Sequence, residues 1–292
     1  MGTIETKAYA KINLALDVTG VRDDGYHMVK MVMQTLSLHD RLFITETDDD
    51  RISVSTNLPF LPTGKANLVY LAASVFREKT GLTKGVHISL NKHIPVAAGL
   101  AGGSSDAAAV LKGMNTLFNT GLSNDELKDI ALRLGADVPY CLIGGTVLCE
   151  GIGEELTPLR NAPYANVILV KPKVSVSTKH IYEKLELNEN SDHPDVDSMI
   201  KAISDGNYVG VSSKVKNILE PVTASEYPEI KEIEQMLREN GADCAAMSGS
   251  GPTVFGLFTD REVAQKAFFK FKEDGKYARN VFLTGYKYNI NL

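Results

Sequence analysis

The chain has 292 residues, room for two compact domains or one large one, and its 43% hydrophobic and 23% charged residues exclude a disordered polymer. Thirty-six acids against 31 Lys and Arg give a formal charge of −5, which argues against nucleic-acid binding, since that rests on neutralising many phosphates. No stretch approaches the roughly 18 apolar residues of a membrane span, and Met1–Ala10 lacks the basic start and apolar run of a signal peptide.

From Thr6 to Val18 the side chains alternate. Ala8, Ala10, Ile12, Leu14 and Leu16 fall on one face, and Tyr9, Lys11, Asn13 and Asp17 on the other, the period of a strand with one buried face. Strand-like runs follow at Val29–Leu38, Leu42–Thr47, Ile52–Ser55 and Val86–Leu90. Before the last of these, Leu68, Leu71, Ala72, Val75 and Phe76 mark an amphipathic helix that Gly81 stops. A second helix is expected from Ser104 to Phe118, with Ala107, Val110, Leu111 and Met114 on its apolar stripe. Ser123 and Glu126, at capping-box spacing, open a third that runs through Leu127, Ile130, Ala131 and Leu134 to Gly135.

Pro158–Pro163 reads as a connector, dividing the chain into residues 1–160 and 161–292. Beyond it, Val167–Val170 is a short buried strand and the polar stretch Asn188–Ser198 a mobile loop. Pro228 opens a helix carrying Ile230, Ile233 and Leu237, ended by Gly241. Ala245–Met247, Thr253–Phe258 and Val281–Tyr286 read as strands, with a helix over Arg261–Lys272. Strands in hairpin-like runs with separate helices point to α+β and not to regular βαβ alternation. Cys141, Cys149 and Cys244 lack metal-type spacing and sit among apolar neighbours, so they read as buried free thiols in a reducing cytoplasm.

The segment richest in chemical information is Pro95-Val96-Ala97-Ala98-Gly99-Leu100-Ala101-Gly102-Gly103-Ser104-Ser105-Asp106, which runs straight into a helix. A glycine-rich turn lets backbone N–H groups converge, and the helix N-terminus adds unpaired donors and a partial positive charge, a setting for phosphate. Alone, such a loop is as well read as a flexible turn before a capped helix. The chain has neither G-x-x-x-x-G-K-[ST] nor G-x-G-x-x-G with a distant acid, so P-loop and dinucleotide folds are set aside. A second small-residue turn, Met247-Ser248-Gly249-Ser250-Gly251-Pro252, reads alone as a tight turn and beside the first as the other side of a phosphate grip.

Ala10-Lys11-Ile12-Asn13-Leu14, Pro95–Asp106 and Met247–Gly251, in that order and spacing, resemble the three motifs of the GHMP kinase superfamily. The likeness spans essentially the whole chain. Gly25-Tyr26-His27, Gly102–Ala109 and Gly135-Ala136-Asp137-Val138-Pro139 are similar to the branch that acts on CDP-methylerythritol. The resemblance implies a two-domain fold, an N-terminal ribosomal-S5-like domain and a C-terminal ferredoxin-like domain with the active site between them. It also implies that ATP, with Mg²⁺, phosphorylates the 2-hydroxyl of that acceptor in the non-mevalonate route to isoprenoid precursors. No nucleic acid or membrane partner is expected, and the protein would act as a monomer or homodimer.

By the same resemblance Asp137 is the base and Lys11 its cationic partner, while Pro95 to Ser105 hold the phosphates. Asn67 and Lys92 contact adenosine, Asn13 shares the acceptor site, and Tyr26, His27 and Tyr182 recognise cytosine. Ser105 is the expected contact for Mg²⁺ or the β-phosphate. Ala97, Ala98 and Ala101 stand where many members carry glycine, so ordinary negative φ is expected there. Without the resemblance, Lys11 reads as a solvated lysine and Asp137 as a turn residue. Three rivals are weighed: another kinase of the superfamily acting on mevalonate or homoserine, whose acceptors carry no base to stack on Tyr26; a nucleotide-binding protein without turnover, which would need no Lys11 and Asp137 together; and a nucleic-acid-binding role suggested by the ribosomal-like half-fold, which no basic stripe supports.

Overall fold

The structure is a computed structural model that describes residues 2–188 and 191–288. Two long strands, β1 (Thr3–Val21) and β2 (His27–Thr47), pair antiparallel and form its spine. β3 (Ile52–Thr56), helix α1 (Leu68–Thr80) and β4 (Gly85–Asn91) follow. Next come α2 (Gly102–Leu117), α3 (Asn124–Leu132), α4 (Val138–Ile143), β5 (Thr146–Glu150) and β6 (Glu155–Pro158). The second half holds β7 (Asn166–Val170), α5 (Thr178–Lys184), α6 (Val196–Ser204), α7 (Tyr208–Ser213) and β8 (Lys216–Asn217). It ends with α8 (Glu220–Glu226), α9 (Glu229–Glu239), β9 (Cys244–Met247), β10 (Val254–Phe258), α10 (Arg261–Glu273) and β11 (Val281–Gly285).

A seven-stranded mixed sheet runs β3-β4-β2-β1-β8, with β5 on β2 and β6 on β5, and a four-stranded antiparallel sheet runs β11-β7-β10-β9. Two helix expectations are met by their caps. Asn67 accepts from the Val69 amide at the start of α1, and Gly81 closes that helix in the left-handed region. Ser123 and Glu126 form the reciprocal capping box of α3.

Two strand readings change. Val29–Leu38 and Leu42–Thr47 are one unbroken strand, because the charged triplet His39-Asp40-Arg41 stays in register with Lys7–Tyr9 and Asp40 is fully buried. In β1 the register slips between Asn13 and Ala15. Such a bulge places two successive residues on one side, so Leu14 and Ala15 join Ala10 and Ile12 in one cluster, while Leu16 and Val18 join another. Leu16 therefore leaves the face predicted for it. The expected loop over 188–198 is also shorter: Val196–Ser198 begin α6, capped by Asp195, and residues 189 and 190 lie outside the described residues.

Three apolar clusters hold the molecule. One packs α1, α2 and α3 on β2 and β4, around Phe76, Ile44, Ile88 and Val110. The other two join the sheets: Ile12, Leu14 and Val32 meet Val167, Leu169 and Phe255 in one, and Val18, Val29 and Met33 meet Ile168, Val170 and Val254 in the other. Alternate residues of β7 thus serve opposite faces of its sheet. All three cysteines are free, and burial pushes the Cys141 and Cys244 thiols up to about 12. Among the described residues no helix is long and apolar enough to cross a membrane.

Candidate active site

Strand alternation aims Lys11 and Asn13 to one side of β1, and the bulge after Asn13 brings Leu16 to the same side; all three line one large cavity of about 1130 Å³. Lys11 is only 4% exposed, so its ammonium needs partners. It donates to Asn13 Oδ1 at 2.8 Å and lies 3.6 Å from Asp137 Oδ2. Asn13 in turn donates from Nδ2 to Met31 Sδ at 3.2 Å, which leaves its oxygen for Lys11. Asp137 occupies the residue before α4, yet its side chain makes no capping bond. Its carboxylate is a third exposed and faces the cavity. Turn-making does not account for it.

The glycine loop closes the next wall. The Lys11 amide donates to Leu100 O at 3.2 Å, so the strand that carries the lysine also holds the loop. Ser248 Oγ donates to Gly99 O at 3.0 Å, and a Cβ on Gly99 would stand 2.2 Å from Ser248 O. Glycine is required there by that contact as well as by its φ of 73°. The two small-residue turns therefore touch, and Gly249 and Ser250 line the cavity opposite the first loop.

Four expectations for this loop are corrected. Ala97 and Ala101 have φ of 50° and 55°, in the left-handed region, and only Ala98 keeps an ordinary φ. The chain must reverse at Ala101 to start α2, and the contacts at Gly99 and Leu100 hold that strained geometry, which costs about 1–2 kcal/mol per alanine. Leu100 and Ser105 do not line the cavity. The Leu100 side chain is buried in an apolar cluster, and the Ser105 hydroxyl donates to Tyr9 O at 2.6 Å and Ala101 O at 2.9 Å. Ser104 is the loop serine that faces the cavity. The other loop residues, Pro95, Val96, Ala97, Ala98, Gly99, Ala101, Gly102 and Gly103, do line it.

The first helical bond of α2 runs from Ser105 N to Ala101 O, so the amides of Gly102, Gly103 and Ser104 precede it. No side chain caps them and no acid sits in that first turn. Uncapped amides at a helix N-terminus of this kind are able to receive a polyanion. Asn67 and Lys92 border the same end of the cavity, though each is committed: Asn67 to the Val69 amide and Pro62 O, and the Lys92 ammonium to Asp40 and Asp106.

At the far end the His27 and Tyr182 rings lie 4.9 Å apart, tilted by 55°, with Tyr26 60% exposed beside them. Burial pushes the Tyr182 phenol well above its ordinary range. Thr178 and Lys179 of α5 and Met31 of β2 also line the cavity and were not singled out from the sequence. Only Met31 had a usable signal, its place in a strand run. Among the described residues no group of three or more His, Cys, Asp or Glu is placed to hold a metal ion.

Residues 67–145 match the GHMP kinases N terminal domain and residues 188–276 the GHMP kinases C terminal domain. A 4-diphosphocytidyl-2-C-methyl-D-erythritol kinase of Lachnoclostridium phytofermentans is 52% identical over 292 residues, all of both chains. One from Caldicellulosiruptor bescii is 47% identical over 92% of this chain and 94% of its own. A crystal structure of 4-(cytidine 5'-diphospho)-2C-methyl-D-erythritol kinase superposes with a TM-score of 0.83 at 32% identity, covering 98% of this chain and 100% of that one. A homoserine kinase from Cytophaga hutchinsonii shares the fold at TM-score 0.81 and 20% identity, covering 100% and 96%. The expected α+β kinase fold is thus found along its full length, and the chain belongs to the GHMP kinase family.

Proposed function

We propose that the protein transfers the γ-phosphoryl group of ATP to the 2-hydroxyl of 4-(cytidine 5'-diphospho)-2-C-methyl-D-erythritol, giving the 2-phosphate and ADP, in the methylerythritol phosphate route to isoprenoid precursors. The names of its full-length relatives support the acceptor. The observation that carries the chemistry is the Lys11–Asp137 pair beside the glycine loop, in one cavity with the His27–Tyr182 rings.

ATP lays its phosphates across Pro95–Ser104, where the free amides of Gly102, Gly103 and Ser104 take charge from the β- and γ-oxygens. The adenosine end lies toward Asn67 and Lys92. The Ser104 hydroxyl, which faces the cavity, is the protein group that would meet a Mg²⁺ ion bound with ATP, and that ion would offset charge on the phosphate oxygens. Cytosine inserts beside His27, Tyr182 and Tyr26, where stacking contributes about 1–3 kcal/mol per base, and Asn13 steadies the acceptor alcohol. Asp137 takes the hydroxyl proton as the O–Pγ bond forms and the bond from Pγ to the leaving ADP oxygen breaks. Lys11 balances charge on the transferring group.

Residues 1–160 and 161–292 act as the ATP-binding and C-terminal units on this reading, in a cytoplasmic monomer or homodimer that binds small molecules and not nucleic acid. Its test offers the cytidyl acceptor, homoserine and mevalonate side by side and follows ADP release. Turnover with the cytidyl acceptor alone is expected; equal turnover with either of the others would overturn the assignment.

A further inference from the structure

Asp40 is fully buried in mid-β2, does not line the cavity, and has no part in the steps above. Its carboxylate is nonetheless wholly spent on the glycine loop. Oδ1 accepts from the backbone amides of His93 and, at 2.8 Å, Ile94, the residues from which the loop departs. Oδ2 accepts from Lys92 Nζ. The same ammonium donates to Asp106 Oδ2 at 2.7 Å, and Asp106 lies in α2, just past the end of the loop. One carboxylate thus gathers both feet of the segment 95–105, directly at one foot and through Lys92 at the other. Charge-assisted bonds of this kind, out of reach of water, are the strongest available to the backbone. The tip of the loop is held separately, by the Lys11 amide and Ser248.

Resting on the phosphate-loop reading above, we infer that Asp40 is a positioning residue that keeps the loop in its ATP-accepting shape before ATP arrives. A loop that adopts that shape only a tenth of the time would bind ATP about tenfold more weakly, while saturating ATP would restore it. The consequence is a split in the kinetics. Asp40→Asn removes the charge at little change in volume. It is expected to raise the KM for ATP about tenfold and to leave kcat and the KM for the acceptor within about twofold.

The assay is run on parent and variant together. A parent without turnover would overturn the functional reading; an active parent with an unchanged ATP KM in the variant, or a loss in kcat alone, would overturn the role of Asp40. If the variant does not fold, hydrogen exchange on the nucleotide-free parent decides. The proposal requires the His93 and Ile94 amides to exchange as slowly as those of β4 before ATP is added. Fast exchange that slows only with ATP would show that nucleotide, and not Asp40, shapes the loop.

Discussion

A lysine buried to 4% exposure is tolerated only when its charge is answered, and Lys11 has two answers, the Asn13 oxygen and the Asp137 carboxylate. Because Asn13 is itself fixed by Met31, the ammonium is aimed and not merely neutralised. Backbone strain is the second residue-scale feature. Ala101 has a φ of 55° where glycine would be relaxed. An ordinary Ala-to-Gly change loses about 0.5–1 kcal/mol of backbone entropy, but here the relieved strain is about 1–2 kcal/mol. Ala101→Gly is therefore expected to hold or raise Tm by a degree or two, read by thermal unfolding; a clear fall would contradict the strain account. At this scale alternation put Lys11 and Asn13 on one face, but the role of Lys11, like that of Asp137, was legible only through likeness to relatives. Asp40 was hidden, because a charged triplet inside a strand run looks like a break until its distant partners are known.

Elements with a full apolar period were readable, and α1, α2, α3, α9 and α10 lie close to where periodicity and caps put them. The short helices α4 to α8 were missed, since 6 to 9 residues hold too few turns for a stripe to show. One of them, α8, carries a pH signature together with its neighbour α9. Glu220 at the start of α8 accepts from the Met247 amide, the first residue of the second turn, and shares Lys231 with Glu234 of α9. Burial, with the neighbouring Glu220 carboxylate, pushes the Glu234 carboxyl up to about 8. Between the ordinary carboxylate range and that value the folded state holds a proton that the unfolded chain has lost. Stability must then fall as pH rises through that window. Glu234→Gln is expected to flatten this decline, so that its Tm gains on the parent between pH 5 and 8.5. Parallel curves would contradict the shift.

For the whole molecule, the decisive fact is that the two sheets share apolar clusters while both small-residue turns meet over one cavity. Composition and periodicity alone carried the α+β class but not this meeting, which depends on bulges in β1 and on register between segments more than 140 positions apart, such as Gly99 and Ser248. Gly99→Ala should push the turns apart, since its Cβ meets a carbonyl that cannot step aside. A loss of about 1–3 kcal/mol in stability is expected from denaturant unfolding, with weaker ATP binding; an unchanged midpoint would mean that the turns are not in contact.

The claim that Asp137 receives the acceptor proton is tested most directly by single-turnover phosphoryl transfer in Asp137→Ala, with ATP affinity measured on the same preparation. ATP binding should stay within about threefold of the parent while transfer falls by about 10² or more. Transfer at the parent rate, with ATP bound normally, would contradict the account.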